Sequence, residues 1–525
     1  MGDALFGYTG LVGGNLLTKY KFDYLYNQKN ILDSMNKTFD TIFISCVPAV
    51  KWIANKEPEN DFIAIEKIKD IFKTIKAKQV ILISTIDIYN NINNKSNENT
   101  IIDYNNNHTY GKNRYLFEQF IKDTFTNYHI IRLPALFGIG LKKNIIFDLL
   151  NNNNVDKISI NTLFQWYNLE WIKEDIDICI KNKLSECNLF TEPLETIKIL
   201  EFCKPLFGYD YTNNTTNKII YDTTTINDKY FVNGFSGYIR NKEMVFESIK
   251  EFINNYIKVP KYKLCVSNIS NNTLNYKQYY SILKHYNIKY IEIAPTKYNS
   301  WDNLFNNIDC FKDVVNEINN HNLELYSFQS VTFTIDNNIF DDNNMELLLH
   351  LKNVIDFACN NNVKNIVFGC PKNRRIININ QDNDNIFIDF MIKLGDYIGD
   401  RDLIISIENN SKKYNCNYLN TINEVGYITK KINHKNIRMM VDIGNCIMDN
   451  DNINNLCDYK DYINHIHISM PYMNPLINYN KVLYDYFINM LNGISYDKII
   501  SLEFLNNSNN EFDNLITSLK NFNLV

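Results

Sequence analysis

The chain has 525 residues, 45% hydrophobic and 22% charged, with a formal net charge of −5 and a pI near 6.0, so no basic footprint points to nucleic acid. At roughly 150 residues per domain, this length gives about three domains or two large ones, with enough chain for cores that need no staples. An apolar run of about 18 residues, a signal-peptide start and paired CxxC spacings are all missing, so the 11 Cys read as reduced thiols of a cytoplasmic protein with no membrane partner. The outlier is asparagine, with 87 Asn against 8 Ala, which biases the chain toward turns and weakens helix signals.

In chain order, a strand at residues 4–6 leads into Gly7-Tyr8-Thr9-Gly10-Leu11-Val12-Gly13 and a helical start at residues 15–17. A glycine turn between strand and helix lets the backbone approach a pyrophosphate, with helix N–H groups as donors. Glycines in this spacing also serve simply to close a tight turn. Further strands are expected at 22–26, 41–45, 80–84 and 129–133. Cys46-Val47-Pro48-Ala49 follows the third, Thr85-Ile86-Asp87-Ile88-Tyr89 the fourth, then Tyr110-Gly111-Lys112-Asn113-Arg114, and Pro134-Ala135-Leu136-Phe137-Gly138 after the fifth. The Asn-rich runs at 91–99, 105–107, 151–154 and 213–217 read as loops, and residues 242–257 as an amphipathic helix.

This series resembles the extended short-chain dehydrogenase/reductase family, which holds nucleotide-sugar epimerases, dehydratases and reductases. The resemblance implies a Rossmann-type doubly wound parallel sheet over residues 1–259, with NAD or NADP at Gly7, Thr9, Gly10, Leu11, Val12 and Gly13. It maps the substrate-binding hydroxyl to Thr85 and the catalytic phenol to Tyr110. The family lysine four residues further on is Arg114, which keeps the charge but not the compact geometry. The acidic ribose reader expected after the second strand is replaced by Asn27-Gln28-Lys29, and Asp23 is expected inside that strand. NAD, NADP held by Lys29, and a scaffold with little chemistry therefore all remain open.

A domain boundary is expected at Val259-Pro260. Beyond it, strand-like runs at 263–266, 290–293, 323–327, 365–368, 403–407, 437–441, 465–468 and 499–502 alternate with helix-length gaps. One gap carries Met345, Leu348, Leu349, Leu351 and Ile355 at helical spacing. Eight such units over 260–525 predict a (β/α)8 TIM barrel, whose chemistry sits at the C-terminal strand ends. Glu408, Asp442, His467 and Glu503 stand at four successive ends. Three carboxylates and an imidazole suit Mn, Mg or Co, with Zn disfavoured because no thiolate joins them. Each one alone reads as a helix cap or an ordinary polar residue.

The set resembles the metal tetrad of the sugar-phosphate isomerase/epimerase family, the xylose isomerase-like barrels. Its members lie 34, 25 and 36 residues apart, close to the family's spacing. The resemblance implies a sugar or sugar phosphate substrate, proton transfer through a cis-enediolate, Glu408 and Glu503 as catalytic groups, and Asp442 and His467 mainly as ligands. His465 shares the face of His467 and is the weaker candidate. Gln329, Lys372, Asn373 and Arg374 are candidates for substrate contacts, the alternative for the last three being a solvated basic loop. Asn445 stands where the abasic-site endonuclease branch has a histidine, and Met473 near a usual arginine. The expectation is a fused carbohydrate-metabolism enzyme, with a nucleotide-sugar as a second substrate and self-association as an open expectation. Its alternatives are a degenerate binding protein, and a metal-dependent dehydratase or abasic-site nuclease of the same barrel.

Overall fold

Short runs of β-branched and aromatic residues supply the strands of the first unit. They are β1 (Ala4–Phe6), β2 (Tyr24–Tyr26), β3 (Thr38–Ile44), β4 (Lys76–Thr85) and β5 (Tyr128–Leu133), followed by β6 (Ala135–Phe137), β7 (Leu163–Phe164), β8 (Trp166–Asn168), β9 (Glu186–Asn188) and β10 (Leu194–Glu195). The computed structural model describes residues 1–208, 218–257, 262–307, 309–341, 344–378, 382–506 and 510–523. The chain divides into two units, Met1–Lys258 and Val259–Val525. The expected junction at Val259-Pro260 and the Asn run at 213–217 lie outside the described residues.

In the first unit, six strands form a parallel sheet in the order β2-β1-β3-β4-β5-β9. Helices α1 (Leu11–Leu17), α2 (Lys51–Lys56), α3 (Pro58–Phe72) and α4 (Thr109–Thr124) fall between its strands. Ile65 and Phe72 of α3 and Phe117 and Ile121 of α4 share a buried core with Phe6, Ile42, Ile44, Val80, Leu82 and Ile130 of the sheet. Strand order reverses between β1 and β3, and crevices at such reversals receive ligands in open α/β sheets. Asp23 lies just before β2 rather than inside it, where its carboxylate accepts the Asp3 N–H at 2.8 Å. The helix Lys242–Ile257 matches its predicted span, burying Val245, Ile249 and Ile253 against Ile199, Leu200 and Cys203.

In the second unit, β11 (Lys263–Ser267), β12 (Tyr290–Ile293), β13 (Glu324–Phe328), β14 (Asn365–Phe368), β15 (Ile404–Glu408), β16 (Ile437–Asp442), β17 (Ile463–Ile468) and β18 (Ile499–Leu502) form a closed parallel barrel. Pairing of β11 with β18 closes the ring. The helix Asn344–Asn360 buries Leu347, Leu348, Leu351, Val354 and Ile355, whereas Met345 and Leu349 of the expected stripe are exposed. The barrel also holds a polar layer. Asn365 Nδ2 donates to Ser327 Oγ, while Asn365 Oδ1 accepts from Ser406 Oγ and Asn464 Nδ2. These groups are buried and satisfy one another, so an otherwise costly set is tolerated. Among the described residues, no helix is long and apolar enough to cross a membrane.

Gly7 sits at a close backbone approach in the first unit. Its φ is +93°, and a Cβ there would sit 2.6 Å from the backbone carbon of Ser45. Gly208 also has a positive φ, +71°, but a Cβ there meets nothing within 4 Å. Gly208→Ala is therefore expected to cost about 1 kcal/mol, from backbone conformation alone. Gly7→Ala is expected to cost about 2–4 kcal/mol, because overlap adds to strain. Denaturant unfolding of the two variants checks this, and equal losses would show that the packing at Gly7 is not tight.

Candidate functional site

Strand geometry brings the four candidate ligands together. Glu408 ends β15, Asp442 ends β16, His467 lies one residue from the end of β17, and Glu503 follows β18. All four are buried, and one ligand atom from each lies within 4.8 Å of the others. His467 Nδ1 faces the acids, 3.0 Å from Glu503 Oε2, 3.7 Å from Glu408 Oε1 and 3.9 Å from Asp442 Oδ2.

The acids are held from behind. Ser469 Oγ–H bridges both Asp442 oxygens at 2.8 Å, and the Asn445 N–H donates to Asp442 Oδ1 at 2.6 Å. Asn410 Nδ2 donates to Glu408 Oε2 at 3.0 Å. Glu408 Oε2 also fills the space beside Gly369, where a Cβ would lie 2.2 Å from it. Burial, together with Glu408 and Glu503, pushes the Asp442 carboxyl up to about 7, against the pull of His467. Burial likewise raises Glu503, with Glu408 and Glu292 adding to it. Burial works against a charged His467, but Glu503 and Glu292 outweigh it and hold the imidazole well above its ordinary range. A divalent cation relieves the repulsion among carboxylates this close. The donor set, all oxygen apart from one imidazole nitrogen, fits such an ion.

Of the other candidates, Gln329, Asn373 and Arg374 are buried and Lys372 is exposed. Arg374 is fully buried and donates to the Glu408 and Leu419 carbonyls. Asn373 is pinned by the Ile335 and Asn337 carbonyls and the Thr332 hydroxyl. Both brace the loop after β14. Lys372 is exposed and paired with Asp336, as a solvated basic residue would be. Gln329 is buried and donates to Ser267 Oγ. Asn445 spends its side chain on the Asn409 carbonyl at 2.9 Å. Glu292, Ser469 and the half-buried Tyr414, whose phenol is raised by burial and by Asp442, Glu503 and Glu408, were not singled out as site residues. Glu292 had a visible signal, a lone charge between two isoleucines in a barrel strand.

In the first unit the glycine turn closes on itself. Gly10 N–H donates to the Gly7 carbonyl at 3.0 Å, and a Cβ on Gly13 would lie 2.1 Å from that oxygen. Thr9 is exposed, and Leu11 and Val12 are half-buried in α1. Thr85 Oγ1 accepts the Asp87 N–H at 3.2 Å, and Asp87 pairs with Lys51 at 2.6 Å. Arg114 makes a two-point contact with Asp61 at 2.5 and 2.8 Å, donates to the Pro48 carbonyl, and stacks 4.0 Å from the Tyr110 ring centroid. Burial raises the Tyr110 phenol, with Arg114 acting in the opposite direction. Asn27 donates to Tyr8 Oη and accepts from the Lys29 N–H. The cation at 114 is thus committed to a carboxylate, and Asn27 offers no acid to a ribose. These residues do not fit an NAD(P) hydride-transfer site.

The family model described as xylose isomerase-like TIM barrel matches residues 281–522. Those residues form a xylose isomerase-like TIM barrel domain. No curated protein matches the sequence. Among solved structures, 3-keto-D-glucoside 4-epimerase from E. coli is 15% identical over 49% of this chain and 97% of its own, with a TM-score of 0.40. D-allulose 3-epimerase from Methylomonas sp. is 16% identical over 50% and 97%, with a TM-score of 0.41. An AP endonuclease, family 2, from Brucella melitensis is 14% identical over 47% and 95%, with a TM-score of 0.39.

Asp442 provides a test that needs no added ion. Its carboxyl is raised from 3.8 to about 7 in the folded chain. Between those values the folded state keeps a proton that the unfolded state has released, so this contribution to stability falls as pH rises. Asp442→Asn removes the titration. The metal-free variant is expected to match the parent near pH 4 and to melt higher than it above pH 7. A constant difference across that range would show that Asp442 is not crowded by its neighbours.

Proposed function

We propose that residues 260–525 are a metal-dependent sugar isomerase or epimerase, acting on a sugar or sugar phosphate by proton transfer through a cis-enediolate. The observation that carries this reading is the buried convergence of Glu408, Asp442, His467 and Glu503 on one point at the barrel's C-terminal end. These four residues would hold a divalent ion such as Mn, Mg or Co. Such an ion, when bound, supplies Lewis acidity that makes a C–H beside a carbonyl easier to deprotonate.

The chain's own groups do the rest. Glu408 and Glu503 are the carboxylates on which a substrate proton is taken up and returned. Burial raises Glu503, which suits it to carry that proton. Asp442, fixed by Ser469 and the Asn445 N–H, and His467 keep the two glutamates in place. Asn445, tied to the Asn409 carbonyl, speaks against the nuclease alternative, which needs a histidine there.

For residues 1–259 we propose a Rossmann-type, nucleotide-sugar epimerase-like scaffold without hydride transfer. The parallel order and the Gly7 turn support the fold type, and the Arg114–Asp61 pair supports the loss of redox chemistry. Absence of both NAD(H) and NADP(H) binding in a titration is the expected result, and tight binding of either overturns it.

The barrel reading is tested with purified full-length chain, a panel of ketoses and sugar phosphates, and Mn2+ in D2O. Solvent deuterium should enter the substrate carbon, and Glu408→Gln or Glu503→Gln should each lower kcat on the order of 10²–10⁴-fold. An ion-free protein, or unchanged turnover in both variants, sinks the proposal.

A further inference from the structure

Behind the candidate ligands sits a second buried group. Glu292 lies on β12 and His465 and His467 on β17, strands that are not hydrogen-bonded neighbours, so their contact crosses the barrel interior. Glu292 Oε1 is 2.9 Å from His467 Nε2, and Oε2 is 3.1 Å from His465 Nε2. All three side chains are fully buried. A carboxylate with both oxygens committed to imidazoles is neither a general base for a substrate nor a solvent-facing charge. The His465 ring lies nearly parallel to Tyr326, 6.3 Å away at 14°, which fixes one end of the assembly by packing.

An imidazole has two nitrogens, and the partner of one decides what the other can do. At His467 the Nε2 side is taken by Glu292, and Nδ1 is left toward Glu408, Asp442 and Glu503. We infer that Glu292 is a positioning residue that clamps His467 from across the barrel, with His465 holding the clamp's second oxygen. Glu292 sets the ring's rotation and directs Nδ1 to the ion. This inference rests on the reading of the four residues as a metal site.

The test uses the full chain and Mn2+ alone, with free ion followed by electron paramagnetic resonance and folding by thermal melting. The parent should bind one ion per chain. Glu292→Gln, which keeps the volume but removes the charge, should raise the Kd about 10–100-fold. Glu292→Leu should raise it further, and His465→Asn should raise it less than either. Nitrogen hyperfine coupling from the bound imidazole should weaken in the same order, a readout that a merely structural role would not move. If the Glu292 variants fail to fold, His465→Asn carries the test. Parent-like affinity and coupling in every folded variant overturn the inference and leave the metal site standing. Two ions per chain also overturn it, since Glu292 would then be a ligand itself. A parent that binds no ion overturns the metal-site reading, and the clamp with it.

Discussion

Repulsion between buried carboxylates is the constraint around which the second unit is arranged. Glu408, Asp442 and Glu503 are drawn to one point by the ends of β15, β16 and β18, with the His467 ring among them to offset their charge. Left alone, such a cluster favours protonation and loosening. The Ser469 hydroxyl, the Asn445 N–H and the Asn410 amide donate to its carboxylates.

The eight barrel strands were legible because each is a four- to six-residue apolar run between helix-length gaps, and their observed bounds depart from the expected ones by only a residue or two. The four converging residues were legible for a related reason: polar residues break those runs at the same end. The approach of Glu292 to His467 was not legible, because they meet across the barrel and no local spacing encodes that contact. Charge in the Lys372 to Arg374 loop does not reveal burial: Lys372 is exposed, whereas Arg374 is buried and donates to the Glu408 carbonyl.

In the first unit, the motif order pointed to the sheet, and its parallel pairing agrees. What the motif could not convey was the commitment of Arg114. A residue four positions after Tyr110 shares its helix face, so spacing alone suggested cooperation between them. The tertiary partner, Asp61 on α3, decides otherwise by taking both ends of the guanidinium fork. The asparagine bias proved interpretable in geometric terms. Asn152, Asn433 and Asn450 close helices in the left-handed conformation, the task glycine usually performs. A chain with only 17 glycines has delegated many of its turns to asparagine.

That delegation gives Gly369 a particular meaning. Asparagine can replace glycine where only φ matters, but not where the hydrogen in place of Cβ is itself the requirement. At position 369 the missing carbon is the room in which Glu408 Oε2 rests. Gly208, where a Cβ meets nothing within 4 Å, serves backbone conformation alone, whereas Gly369 serves the space that the Glu408 carboxylate occupies.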